Sequence, residues 1–527
     1  MNARRISVDD LIAARAGPTP PVLLDVRDRP EAERDRIRDA TNLPRHRIEF
    51  RIAGLVRDRT TPLVVIDSGA PDARGRVDAR AALAARTLRR LDYADVATVE
   101  GGVAAWRRAG LPVVCGIDVS SNAFRDRCQC NGEVPCIGVE TLLAWQREGT
   151  RVALIDVRTA AEHTEACIPG AVSVDGFDIA SQGVDIAAES DVIVVYSGGC
   201  TRAVISARTL TFLGLTDVVA LEGGLIAWRL AGRAVERGSR LTRFAASVAS
   251  RQFGELGAAR LAKMRGVRSM AAGELATLLE SPTRNFYAFD LRDAAAFEDG
   301  HIAGALSLPI DRAILRSDEF IAIRGAPLVL VGDDEMQAKL VAVWQSRLGS
   351  TDISVLAGGL DGWIAEGRPL SSHRDEPLGW AQATARGEAV AAPQAAAWLA
   401  ARPGSRVLQV DRSSAFRAGH LPGATWLPRG WLEARIDDVV ADPDVPLLLT
   451  CAAGNQAPFA AATLRERGRG DVAWLAGGTR AWAAAGGALE TCDLAPQDDE
   501  LVPPIQRDER AMREYLDWAG GAPGTRR

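Results

Sequence analysis

Eight cysteines and five histidines lead the groups in this 527-residue chain that could carry chemistry, and they are unevenly placed. Cys451 follows the apolar run LLLT and opens the loop Cys451-Ala452-Ala453-Gly454-Asn455-Gln456. Ala457 to Leu464 then reads as a helix, with Pro458 in the first turn, where proline is tolerated. A thiol at that junction is a nucleophile in its thiolate form. Cys200 stands in YSGGCTR, three residues after Ser197 and just before Thr201 and Arg202. Cys115, Cys128, Cys130 and Cys136 crowd one short segment, enough thiols for a tetrahedral zinc site or a redox disulfide. Their spacing, Cys-x-Cys-x5-Cys, lacks paired CxxC knuckles, so incidental thiols are the leading account. His301 and His420 share a Gly-His-apolar-x-Gly-Ala context, which reads as satisfying a turn beside a sheet rather than as a catalytic base.

The elements that position these residues repeat four times. LLDVRDRPEAER from Leu23 returns as LIDVRTAAEHTE from Leu154, AFDLRDAAAFED from Ala288 and LQVDRSSAFRAG from Leu408. A second motif follows each: VEGGVAAW to Trp106, LEGGLIAW to Trp228, LAGGLDGW to Trp363 and LAGGTRAW to Trp482. A period of roughly 120–135 residues, each with a full core's worth of apolar residues, means tandem domains rather than a solenoid. Apolar runs such as VALID (152–156), VIVVY (192–196) and PLLLT (446–450) read as buried parallel strands. Between them lie amphipathic stretches such as 202–214, with Val204, Ala207, Leu210 and Leu213 on one face and Gly214 as a stop. The fold class is therefore α/β, four domains each with a parallel sheet flanked by helices. Their expected bounds are 1–114, 137–235, 268–372 and 388–490, followed by a tail at 491–527 with a helix-like RDERAMREYLDWAGG. The stretch 235–270 reads as a partly helical separator between two pairs of domains. Ligands of such sheets bind at the carboxyl ends of strands, so the decisive residues follow VVI, VVY, LVLV and LLLT.

The DVR…E…IPGA frame, the strand-end loop and the EGG…AW ending resemble the rhodanese family of sulfurtransferases over almost the whole chain. The resemblance implies a nucleophilic Cys that opens a six-residue loop before a helix. Inward N–H groups and the helix terminus there would lower the thiol pKa and cradle a persulfide. On that basis Cys451 is the expected catalytic residue, with Ala452, Ala453, Gly454, Asn455 and Gln456 as the substrate-binding loop. That loop holds no Arg or Lys, so Arg429 is the candidate anion partner from a neighbouring loop. The other three domains are expected to be inactive. Domain two has Ser197 at the nucleophile position, leaving Cys200 and Arg202 as secondary candidates. Domain one offers Asp67-Ser68-Gly69, and domain three Gly332-Asp333-Asp334-Glu335, whose acids would neutralise an anion cradle. Domain four departs from the frame: Gln409-Val410-Asp411 replaces Asp-Val-Arg, Arg412 is shifted by one, and Ala415 replaces the usual acid. By analogy with paired domains in the family, domain three is expected to wall its pocket.

Composition narrows the partners. Hydrophobic residues make up 47% and charged residues 25%, and 68 acids against 63 bases leave a net charge of −5, so no basic field points to nucleic acid. No run approaches the apolar length of a membrane span, and MNARRISVDDLIAARAG lacks the apolar centre of a secretory signal. Eight cysteines in so long a chain are too dilute for a disulfide framework, which makes a reducing cytoplasm the expected compartment. The expected function is transfer of sulfane sulfur from thiosulfate or a related donor to cyanide or a thiol through a Cys451 persulfide. No metal or organic cofactor is expected, and the oligomeric state stays open. The alternative is a non-enzymatic interaction or sensing scaffold. A Cys-dependent phosphatase fits worse, because this loop is one residue shorter and ends in Gln456 where those enzymes have Arg.

Overall fold

The computed structural model describes residues 4–520 except 73, 117–118, 175, 177, 240–245, 282 and 374, and no side chains at 119–120, 129–130 or 520. Each domain is built on a five-stranded, wholly parallel sheet. Counting strands along each domain's own sequence, the spatial order is 1-5-4-2-3 in all four. In domain four these strands are Glu388–Val390, Val472–Leu475, Leu447–Thr450, Arg406–Gln409 and Thr425–Trp426. The central strand Leu447–Thr450 is buried at every residue, which is why it reads as a continuous apolar run rather than an alternating one.

Three contacts recur and explain the repeated motifs. In the first three domains the Arg of the DVR frame clasps the strand-end Asp: Arg27 on Asp25 at 2.7 Å, Arg158 on Asp156 at 2.6 Å and Arg292 on Asp290 at 2.7 Å. The double glycine lets the last helix lie directly on the strand-end loop. A Cβ on Gly102, Gly224, Gly359 or Gly478 would fall 1.8–2.6 Å from a loop carbonyl oxygen, and all four have positive φ. The Trp four residues on donates its indole N–H to the chain beyond the helix, at Pro112, Ala234, Pro369 and Ala488. His301 and His420 belong to an antiparallel bridge that closes the domain, with Ser371 and Glu490 respectively. Each ring stacks on the Phe four residues earlier and bonds that residue's carbonyl, a structural role.

The domains pair in a nested order. Met1–Cys115 and Asp375–Val502 form one compact unit, and Gly116–Arg374 with Pro503–Arg527 form the other. Domain one therefore shares a unit with domain four, and domain two with domain three. This corrects the expectation that 235–270 divides successive pairs. That stretch contributes the helix Val248–Met264, which packs on both Ile179–Glu189 of domain two and Glu335–Leu348 of domain three. Its glycines permit the approach: Gly254 lies against the Ala180 carbonyl, and Gly257 against Leu213. The same unit buries Trp344 of domain three against Thr209 and Phe212 of domain two.

The tail divides between the units. Asp499 accepts both the backbone N–H and the hydroxyl of Ser413 in domain four, at 2.7 and 2.6 Å. It thereby supplies the N-cap of helix Ser413–Ala418, whose own cap residue, Arg412, makes no capping bond. Further on, the helix Glu509–Gly520 covers the strand-end loop of domain two, with Tyr515 against Gly199 and Leu516 against Gly223.

Candidate active site

Cys451 leaves strand Leu447–Thr450 and heads the loop that enters helix Ala457–Glu466. The Gln456 N–H donates to its Sγ at 3.2 Å, and the Gly454 and Ala457 N–H groups face the same sulfur. Such a concave set of amides at a helix N-terminus favours an anion. Gly454 holds φ +76°, and a Cβ there would fall 2.7 Å from the Gly477 nitrogen, so a side chain would open the bowl. From below, Thr479 N–H donates to the Cys451 carbonyl and Arg480 N–H to the Ala452 carbonyl. The sulfur is only 1% exposed by residue area, but Ala453 and Asn455 on the loop rim are exposed.

The thiol pKa departs from expectation. Burial pushes it up, and the nearby Asp411 carboxylate adds to the rise, against the lowering effect of the three amides. The amide bowl is present, yet desolvation outweighs it and holds the thiol pKa above its ordinary value.

Arg429 also needs correction as a free anion partner. It is 3% exposed and ion-paired with Glu49 of domain one, while bonding the His46 carbonyl at 3.1 Å and the Gln456 side chain at 3.2 Å. Burial lowers its pKa even with Glu49 beside it. For Glu49, burial alone would raise the pKa, but Arg429 and Arg45 outweigh it and hold the carboxyl down. The guanidinium is committed to positioning the last residue of the loop. The pairing is reciprocal: Arg45 of domain one reaches Glu433 of domain four at 2.8 Å, so Pro-Arg-x3-Glu in each domain exchanges its ends with the other. Domain one, not domain three, thus walls this side of the Cys451 loop.

The remaining loops are filled internally. Asp67 of domain one occupies the Cys position and accepts the Gly69 and Ala81 N–H groups at 3.0 and 2.9 Å. In domain three, Asp334 caps the helix through Met336 N–H, and Glu335 accepts the Gly358 N–H. In domain two, the Ser197 hydroxyl donates to the Gly199 carbonyl, and Arg202 forms a two-pronged pair with Glu162. The Cys200 sulfur accepts the Gly223 N–H at 3.1 Å, and burial raises its pKa. Cys128 is packed in the core, Cys115 and Cys136 are half-buried, and the Cys130 side chain lies outside the described residues. Among the described residues, no three His, Cys, Asp or Glu side chains are grouped to hold a metal.

One feature of domain four was not read from the sequence. With no Arg to clasp it, the Asp411 carboxylate receives the Ala452 N–H at 2.5 Å and the Gln409 amide at 3.0 Å. The displaced Asp in Gln409-Val410-Asp411 was the available signal.

Comparison with known proteins agrees with this fold. A family model for the rhodanese-like domain matches residues 7–109, 139–231, 271–366 and 392–485. The chain belongs to the rhodanese-like family. A crystal structure of a thiosulfate sulfurtransferase from Pseudomonas aeruginosa superposes with TM-score 0.85 at 30% identity, covering 98% of this chain and 97% of that one. The thiosulfate sulfurtransferase GlpE of Pseudomonas putida is 36% identical over 92 residues, 18% of this chain and 82% of its own length. An HTH-type transcriptional regulator of Mycobacterium tuberculosis is 30% identical over 95 residues, 18% of this chain but only 42% of the regulator. Among the described residues, no helix is long and apolar enough to cross a membrane.

Proposed function

We propose that this rhodanese-like chain is a sulfurtransferase whose single working site is Cys451. The observation that carries the reading is the sulfur inside a bowl of Gly454, Gln456 and Ala457 amides at the head of a helix. The reaction is a double displacement. The Cys451 sulfur attacks the sulfane sulfur of thiosulfate or a related donor and releases sulfite or a thiol. The resulting persulfide then yields its outer sulfur to cyanide or an acceptor thiol, which restores Cys451. The amides stabilise the sulfur whenever it carries charge, most strongly as the leaving thiolate of the second step. No resident metal or organic group enters this balance.

The other loops support the assignment by contrast, since Asp67 takes the Gly69 and Ala81 amides in domain one, Asp334 takes the Met336 amide in domain three, and domain two has Ser197 where domain four has Cys451. The test is cyanide-dependent thiocyanate formation in Cys451→Ser, with Cys200→Ser as the control. Full turnover in Cys451→Ser would overturn the reading. Intact-mass measurement after donor treatment separates it from a non-enzymatic scaffold, because the covalent intermediate adds about 32 Da.

A further inference from the structure

Building on the Cys451 reading, we infer that Asp411 sets donor specificity, steering the site away from the thiosulfate dianion and toward persulfides that carry no sulfonate. In domains one to three the strand-end carboxylates, Asp25, Asp156 and Asp290, are neutralised by the Arg two residues later. Domain four has a Cys in its loop and has lost this clasp. Its strand end is the neutral Gln409, and the Arg position is Asp411. The Asp411 Oδ2 accepts the Ala452 N–H, the first amide after Cys451, at 2.5 Å. The chain therefore supplies its own carboxylate to an amide beside the nucleophile, where a sulfonate oxygen would otherwise seek one.

The surrounding charges reinforce this. Asp411 forms no salt bridge among the described residues, and besides the Ala452 N–H its carboxylate receives the Gln409 amide and its own backbone N–H, none of them charged. Asp499 of the tail, fixed on Ser413, adds a second negative charge within electrostatic reach of Asp411. Arg429, the cation bonded to the far end of the loop, is spent on Glu49. Arg417 pairs with Glu500, and Arg435 stacks over Trp431. Arg412 and Arg480 are exposed, so water and salt screen them far more than the half-buried Asp411. A dianion entering this field is opposed about twice as strongly as a monoanion, and a neutral donor hardly at all.

The favoured first step balances without another reagent. The Cys451 sulfur attacks the outer sulfur of R–S–SH, forming a Cys451–S–SH bond as the donor S–S bond breaks. The Cys451 proton ends on the departing RSH.

The test compares kcat/KM for thiosulfate and for the persulfide of N-acetylcysteine amide, with one cyanide-accepting assay for both. Asp411→Asn is expected to raise the thiosulfate-to-persulfide ratio at least about tenfold, equivalent to about 1.4 kcal/mol. Restoring the clasp with Gln409→Asp and Asp411→Arg together should raise it again, and guards against a folding artefact in either variant. An unchanged ratio in both variants, or loss of thiosulfate turnover in Arg480→Ala with no effect of Asp411→Asn, overturns the inference. The failure of the underlying reading is distinguishable, because Cys451→Ser would then retain turnover with both donors.

Discussion

Alanine at Gly478 would put a methyl group 1.8 Å from the Cys451 carbonyl oxygen and 2.6 Å from the Gly454 nitrogen. Side-chain carbons do not approach other atoms within 3.0 Å, so the loop or the helix must yield by more than about 1 Å. Two hydrogen bonds span that seam, Thr479 N–H to Cys451 and Arg480 N–H to Ala452. Losing both costs about 1–3 kcal/mol, and the left-handed φ of +65° adds about 1–2 kcal/mol for a residue with a Cβ. A total near 2–5 kcal/mol would lower the transition of the first-and-fourth unit. A shift of about 1 Å at a nucleophile lowers its rate about a hundredfold. The repeat provides its own control. Gly359→Ala in domain three meets the Gly332 carbonyl at 2.6 Å with the same sign of φ, and should cost comparable stability with near-normal persulfide formation. The assay is the rate of mass gain on Cys451 after donor mixing, with thermal denaturation alongside. Wild-type rates in Gly478→Ala would refute the coupling of the glycine seam to the sulfur. Equal inactivity of both variants would refute the placement of the chemistry in domain four.

Other consequences can be checked directly. Alkylation of Cys451 by iodoacetamide should be slow at neutral pH and rise with a midpoint above the ordinary thiol range, since burial and then Asp411 raise that pKa. Removing the negative charge in Asp411→Asn should move the midpoint down, and an upward or absent shift would contradict the sign. Arg429→Met alone leaves Glu49 buried without its partner and should destabilise the chain by about 3–5 kcal/mol in thermal denaturation, whereas Glu49→Gln with Arg429→Met should recover much of that loss. Asp499→Ala removes the cap on Ser413 and should cost about 1 kcal/mol, with Asp498→Ala, which makes only an exposed pair with Arg34, near neutral.

The four-domain α/β plan was legible because its motifs record contacts inside one domain. The double glycine, the Trp and the Asp–Arg clasp each act over short stretches, so every copy repeats them. The strand–loop–helix setting of Cys451 was legible for the same reason: strand, loop glycine and helix are neighbours in sequence. Arg429 was misjudged because its partner, Glu49, lies in another domain, and burial at such an interface leaves no mark on spacing. The reciprocal Pro-Arg-x3-Glu at 44–49 and 428–433 was the one trace of that interface. The thiol pKa went the other way because burial is a tertiary quantity, while the amide bowl that argues for lowering is local. Nesting of the domains had no local signature, since a linker's own residues do not tell whether it joins partners or strangers.

That nesting imposes a schedule on biosynthesis. Glu49 and Arg429 are 380 residues apart, whereas Thr209 and Trp344 of the other unit are separated by 135. At about 5–20 residues per second, a ribosome makes the inner partners available to each other roughly 7–27 s apart and the outer ones roughly 19–76 s apart. Domain one must therefore emerge early and wait, with Arg45, Glu49 and Phe50 uncovered, until the last domain is translated. The ion-pairing part of that face suits the interval, because Arg45 and Glu49 stay hydrated and leave Phe50 as the apolar group that waits for Phe459.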